Sequence, residues 1–161
     1  MTRLESVGGA TTDVEATGWV EAATALRADA DCDFFDWLTA YDDGDAGLAV
    51  VARVWSIARR EGAMLRTWVA REGGTLPTLT SLWVGAAWHE RETAEMFGVG
   101  FVGHPDPRPL LLPEGFDGHP LRKEFVLASR VAKEWPGAKE PGESVAGRKR
   151  PPGVPQPGTW P

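Results

Sequence analysis

The chain has 161 residues, enough for one domain with a substantial core and too few for two well-packed ones. Its single cysteine, Cys32, cannot form an internal disulfide or supply the ligand set of a structural zinc or iron–sulfur site, so a reducing compartment is expected. The net charge of −6 is uneven: residues 1–47 carry −9, residues 48–127 balance, and residues 128–161 carry +3. An acidic first half argues against nucleic-acid binding, which uses basic patches.

The chain contains no run of about 18 apolar residues and no signal-peptide pattern at residue 1, so we expect no membrane span. Residues 1–17 are polar and are expected to be flexible, and a folded domain is expected over residues 18–127. From Trp19 to Ala30, apolar residues recur at three- and four-residue steps, which predicts a short amphipathic helix. Alternating aromatic residues then predict a strand over residues 33–41.

Asp42–Asp45 predicts a turn, because Asp and Gly tolerate the dihedral angles of a reversal. Residues 48–57 and 64–70 read as two strands of an antiparallel hairpin, and residues 73–77 as a break. A helix is predicted from near Leu82 to Phe97, with Thr80 or Ser81 as its cap, a bend at Gly85 and Gly98 as its end.

Dense Gly and Pro follow from Gly98 to Pro120, and long ordered loops of this composition are usually functional or docked on something. Seven prolines and four glycines after residue 127 exclude a packed element there. Residues 128–161 are therefore expected to be an extended or disordered tail. Eight Trp residues favour a chain that docks on a partner, since Trp is enriched in cores and interfaces.

Two short motifs suggest enzymes and fail in their context. The helix segment that starts at His89 resembles a zinc-protease motif, but Thr93 stands where the second histidine is required. Residues 98–103 match the dinucleotide pattern G-x-G-x-x-G, yet a helix precedes them where a strand is needed.

Three histidines, His89, His104 and His119, are spaced fifteen residues apart, which allows a three-histidine metal site. Two of them stand in Gly-His-Pro triplets. The favoured interpretation is that each of these rings hydrogen-bonds backbone in a tight turn.

The predicted helix carries Glu90, Arg91, Glu92 and Glu95 within about a turn and a half. These charges repel one another unless cations elsewhere answer them, and the candidates are Arg108, Arg122 and Lys123. The alternative is a solvated acidic face.

A long string of residues resembles the signature of the 30-kDa subunit of respiratory complex I, the NADH:quinone oxidoreductase. The residues that carry it are Glu90, Arg91, Glu92, Glu95, Phe97, Gly98, Gly103, His104, Pro105, Asp106, Arg108, Gly118, His119, Pro120, Arg122 and Lys123. Residues 36–42 are also similar, more weakly, and the resemblance covers about residues 19–127. Glu95 departs from it, because many members carry Asp there, and so do Pro107 and Pro109, which flank Arg108 where members often show Leu and Arg.

The resemblance implies an α+β fold: a two-layer domain of helices packed on a small mixed or antiparallel sheet, followed by a long Pro/Gly-rich extended C-terminal segment. It implies a structural subunit of the hydrophilic arm of a proton-translocating NADH:quinone oxidoreductase, without catalytic, cofactor-binding or metal-binding residues of its own. FMN, iron–sulfur clusters and quinone are then expected in partner subunits, chiefly the quinone-site subunit of about 49 kDa and the iron–sulfur subunits. The expected location is the cytoplasmic side of the cell membrane, reached indirectly through the complex.

We therefore predict that residues 88–125, with the signature residues above, form an interface. One alternative is the equivalent scaffold subunit of a membrane-bound [NiFe]-hydrogenase or of an F₄₂₀H₂- or ferredoxin-dependent quinone reductase. A remote alternative is a metal-dependent hydrolase that uses the three histidines, and another is an adaptor domain with no respiratory role.

Overall fold

Five strands form one mixed sheet in a computed structural model that describes residues 3–6 and 9–126. The strands are β1 (Arg3–Ser6), β2 (Gly9–Asp13), β3 (Phe34–Asp42), β4 (Leu48–Ser56) and β5 (Glu61–Val69). Their order across the sheet is β1-β2-β5-β4-β3, and every neighbouring pair is antiparallel except β2 and β5. The predicted hairpin of β4 and β5 is confirmed, as is the preceding strand.

The N-terminal segment was expected to be loose, and that prediction is wrong. β1 pairs with β2, and β2 runs parallel to β5 with Asp13 opposite Arg66. The two side chains also form a two-bonded ion pair, with donor–acceptor distances of 2.8 and 3.0 Å. The short polar segment has little apolar pattern of its own, so its order depends on a strand more than fifty residues away.

Two helices lie on one face of the sheet and form the second layer of the predicted α+β fold. The first, α1 (Trp19–Ala28), has the predicted position, and Trp19 and Ala23 are completely or almost completely buried. The second, α2 (Ala86–Phe97), packs against β3 and buries Ala86 and Phe97. Both helices contribute to a single hydrophobic core.

The core-facing side of the sheet consists of rows of paired residues on β3, β4 and β5. One row is Leu38–Ala52–Leu65 and the next is Ala40–Val50–Thr67, all of them buried. A register shift between Phe35 and Trp37 interrupts the strict alternation. As a result Phe35 packs towards the helices, with its ring 6.0 Å from that of Trp83.

Helix α2 begins four residues later than predicted, at Ala86. Gly85 is its N-cap residue, and no side chain caps it. The predicted cap Thr80 is engaged elsewhere, because its hydroxyl and its backbone N–H both bond the hydroxyl of Thr78. The predicted end is confirmed: Gly98 has a φ of +76° and donates its N–H to the carbonyl of Ala94.

Residues 73–77 were expected to be a break but include a short strand, β6 (Thr75–Pro77). It pairs in parallel with β7 (Gly100–Val102), which follows α2. Residues 103–126, called the strap below, contain neither helix nor strand. The predicted tail, residues 128–161, lies outside the described residues, and no helix within residues 3–6 and 9–126 is long and apolar enough to cross a membrane.

Candidate interaction surface

Glu90, the first carboxylate of the signature, points into the protein and is fully buried. Its Oε1 accepts the backbone N–H of Leu79 at 2.7 Å, and its Oε2 lies 2.5 Å from the hydroxyl of Thr78. Burial raises the pKa of the Glu90 carboxyl, and these two hydrogen bonds oppose the rise. Glu90 therefore joins α2 to the turn at residues 78–80.

Arg91 holds the first part of the strap. Its Nε donates to the carbonyl of Arg108 and its Nη2 to the carbonyl of Pro109, each at 2.7 Å. Asp106 lies 3.6 Å from the Arg91 guanidinium and is bonded twice by Arg108, at 2.6 and 2.8 Å. The hydrogen bonds from Arg108 lower the pKa of Asp106 to about 2, so this carboxylate stays ionised near neutral pH.

Glu95 binds the next part of the strap with its carboxylate. Its two oxygens accept the backbone N–H groups of Leu110, Leu111 and Leu112, at 2.6, 2.8 and 3.3 Å. A carboxylate that accepts several N–H groups makes strong, charge-assisted hydrogen bonds. The strap residues after Pro109 thus follow the solvent side of α2.

The histidines of the two Gly-His-Pro triplets bond backbone, as predicted. His104 donates its Nε2–H to the carbonyl of Ala87, and His119 donates its Nδ1–H to the carbonyl of Glu95. His89 lies instead beside the ring of Phe35, 5.6 Å between ring centres. Within the described residues no three His, Cys, Asp or Glu side chains are grouped to hold a metal ion.

A second anchor fixes the end of the strap. Arg122 donates to the carbonyls of Phe97 and Arg71 and to the carboxylate of Glu72, each at 2.7 Å. The backbone N–H of Lys123 donates to Asp42 at 2.9 Å. Asp42 and Arg71 complete this anchor, and the sequence interpretation missed them as site residues. The pairing of Leu48 with Val69 in the hairpin was the signal that brings their neighbours together.

The three cations that were expected to answer the acidic helix do so only indirectly. In the described part of the chain, Arg108, Arg122 and Lys123 form no ion pair with Glu90, Glu92 or Glu95. Backbone N–H groups satisfy Glu90 and Glu95, while Glu92 is exposed to solvent. The expectation of charge pairing is therefore corrected to one of backbone anchoring.

Helix α2 and the strap expose several large apolar side chains, although their charged groups are mostly bonded within the chain. The exposed fractions are 84% for Val84, 64% for Trp88, 60% for Leu111, 42% for Phe116 and 55% for Leu121. We call these five residues the apolar strip. Exposed large apolar groups on one surface of a water-soluble domain often mark a contact with another protein.

The arrangement offers positions for contact rather than an evident reaction centre. Cys32 is buried, and burial raises the pKa of its thiol, which disfavours the reactive thiolate. The Asp42 and Asp106 carboxylates are tied to arginines. The cavity beside Glu90 and His104 is about 30 Å³, far smaller than a cofactor site.

Comparisons with known proteins agree on one family. The family model "Respiratory-chain NADH dehydrogenase, 30 Kd subunit" matches residues 12–131. The C subunit of the NADH-quinone oxidoreductase of Bordetella petrii is 36% identical, with 81% of this chain and 73% of that protein covered. The C/D subunit of the same oxidoreductase from a Sulfurihydrogenibium species is 37% identical, with 89% of this chain and 26% of the longer relative covered. The solved trypsin-resistant fragment (1–134) of Nqo5 superposes with a TM-score of 0.58 at 26% identity, covering 63% of this chain and 85% of that one.

Proposed function

This chain belongs to the family of the 30-kDa subunit of respiratory-chain NADH dehydrogenase, and from that membership we propose that it is a structural subunit of a proton-translocating NADH:quinone oxidoreductase. It binds neighbouring subunits in the hydrophilic arm and leaves the redox chemistry to them. FMN, iron–sulfur clusters and quinone are held by those partners. The complex attaches the chain peripherally to the cytoplasmic side of the cell membrane.

The observation that carries this proposal is the contrast between bonded charges and exposed apolar groups on α2 and the strap. Arg91, Glu95 and Arg122 hold the strap against the domain through backbone hydrogen bonds. A strap fixed in this way presents the apolar strip without a large loss of conformational entropy when a partner binds. The signature residues therefore shape the interface, and the apolar strip makes the contact.

The partner we assign to this surface is the quinone-site subunit of about 49 kDa. The relative whose name joins the letters C and D, in which this chain corresponds to about a quarter of the length, supports a close neighbour within one complex. By holding that partner in register with the cluster-bearing subunits, the chain keeps the distance for electron transfer fixed. Exposed charges at Glu92 and Arg108 border the same surface and add specificity at its rim.

The test compares Trp88→Ala and Leu111→Ala with Ile57→Ala, a matched control. Ile57 is 61% exposed but lies in the turn after β4, away from α2 and the strap. Loss of a central aromatic contact costs about 2 kcal/mol or more of binding free energy, roughly a thirtyfold weaker complex. Native gels of membranes should show less assembled complex for the two strip variants and unchanged levels for Ile57→Ala.

Two charge variants, Glu92→Ala and Arg108→Ala, should lower complex levels more than they change the unfolding temperature of the isolated chain. Normal complex levels in all four variants would contradict the proposed surface. Identification of the chains that co-purify from the native host distinguishes the related machines: a flavin-bearing NADH dehydrogenase subunit supports the proposal, and a hydrogenase large subunit supports the alternative.

A further inference from the structure

Glu90 occupies an unusual position, because a titratable carboxyl with no exposed surface lies within the polar contacts of α2 and the turn at residues 78–80. It receives one backbone N–H, from Leu79, and one hydroxyl contact, from Thr78. A buried carboxylate that lacks a cation is costly, and such a group usually takes up a proton instead.

The charged groups around Glu90 do not supply that cation. From the strap, His104 is nearest, with its Nε2 3.9 Å from Oε2 of Glu90. The His104 ring is neutral in this arrangement: its Nδ1 accepts the N–H of Asp106 and its Nε2–H donates to the carbonyl of Ala87. On α2, Arg91 directs its guanidinium to strap carbonyls and to Asp106, which is itself paired with Arg108.

The other elements against Glu90 carry no charge at all. The turn contributes Thr78, Leu79 and Thr80, and β7 contributes Phe101 to the small cavity beside the carboxyl. The direction of the pKa shift agrees with this environment, since burial is its largest cause and raises the pKa of Glu90.

A chain of hydroxyl groups connects this carboxyl with the protein surface. Thr78 Oγ1 lies 2.5 Å from Glu90 Oε2 and 2.9 Å from the hydroxyl of Thr80, and both threonines are partly exposed. If Glu90 is ionised, Thr80 donates to Thr78, and Thr78 donates to Glu90. If Glu90 is protonated, each hydroxyl turns and the donation runs the other way, so every hydrogen bond survives the change.

We propose that Glu90 is a proton-binding site that stays protonated at about pH 6, where exposed carboxyls are ionised, and that exchanges its proton with solvent through Thr78 and Thr80. The neutral carboxylic acid links α2 to the turn without a buried charge. This inference is independent of the proposed function, because it concerns only contacts within the chain.

Infrared spectroscopy of the full 161-residue chain tests the protonation state directly. At about pH 6 the spectrum should contain a carboxylic-acid C=O band, although the ordinary Glu pKa is about 4.3. Glu90→Gln should remove the band, and Glu92→Gln, an exposed control on the same helix, should leave it unchanged. Absence of the band in the unmodified chain, or its persistence in folded Glu90→Gln, would overturn the proposal.

The proposed route is tested by the rate at which the same band shifts after transfer into D₂O. Thr78→Val removes the hydroxyl and should slow the shift by about tenfold or more, whereas Thr78→Ser keeps the hydroxyl and should not. An equal rate in the two variants would refute the route. This comparison uses the wild-type carboxyl, so it remains informative if Glu90→Gln does not fold.

Discussion

Asp42 and Arg71 form a two-bonded ion pair that connects the end of β3 with the segment after β5, at Oδ2–Nη1 and Oδ1–Nη2 distances of 2.6 and 2.7 Å. The same carboxylate accepts the backbone N–H groups of Gly44 and Lys123. One acidic side chain therefore orders the turn between β3 and β4 and also receives the end of the strap. Disturbance of this pair should be felt at both places.

The Asp42 carboxyl should make the chain sensitive to acid. Hydrogen bonds from Arg71, and then from the Lys123 backbone, lower the pKa of Asp42 in the folded protein below its ordinary value of 3.8. A lowered folded-state pKa means that the stabilisation is complete above the ordinary value and is lost as the pH falls below it, roughly between pH 4 and pH 2. Asp42→Asn should show a smaller loss of thermal stability over that interval, and it should be less stable than the unmodified chain at neutral pH.

The control for this prediction is Asp45→Asn, an exposed position in the same turn. Its unfolding temperature should follow that of the unmodified chain across the whole pH range. Parallel acid profiles for Asp42→Asn and the unmodified chain would show that the Asp42–Arg71 pair does not govern the transition.

Gly98 should not tolerate a side chain. Its φ is +76°, and an added Cβ would lie 2.5 Å from both the Nε2 of His119 and the Nη2 of Arg122. Gly115 has a similar φ of +78° but open space around it. The left-handed conformation alone costs about 1–2 kcal/mol for Ala, so Gly115→Ala measures that cost. Gly98→Ala should lower the free energy of unfolding further in urea titrations, and equal losses in the two variants would contradict the crowded geometry.

Glu95 should govern how firmly the strap is held. Glu95→Gln removes the charge from an acceptor of three backbone N–H groups, and hydrogen bonds to charged groups contribute about 1.5–3 kcal/mol each. We expect faster amide hydrogen exchange at residues 110–112 and a loss of about 2 kcal/mol in the free energy of unfolding. Glu92→Gln, exposed one turn earlier, should leave exchange at 110–112 unchanged.

Two tryptophans should respond very differently to the same substitution. Trp83 is buried and donates its indole N–H to the carbonyl of Cys32 at 3.0 Å. Trp83→Phe leaves that buried carbonyl without its donor and should cost about 1–3 kcal/mol of unfolding free energy. Trp88→Phe changes an exposed ring and should stay within about 0.5 kcal/mol. Similar losses for the two variants in denaturant unfolding would contradict the assigned burial.

Local patterns in the sequence were sufficient for several elements. The three- and four-residue spacing from Trp19 predicted α1, the alternation in the hairpin predicted β4 and β5, and Gly98 marked the end of α2. These succeeded because each depends on residues close together in the chain. The backbone bonds of His104 and His119 were predictable for the same reason, since Gly-His-Pro triplets favour tight turns.

Only the tertiary structure decided the partners of the charged groups and the order of the N-terminal strands. The sequence shows that acidic residues cluster around Glu90, but it cannot show that Glu90 points inward while Glu92 faces solvent, because helical spacing does not say which side is covered. Likewise β2 is ordered by β5, and Asp42 by Arg71, through contacts across many residues. Burial and long-range hydrogen bonding depend on how elements pack, and packing is a property of the whole domain rather than of any one segment.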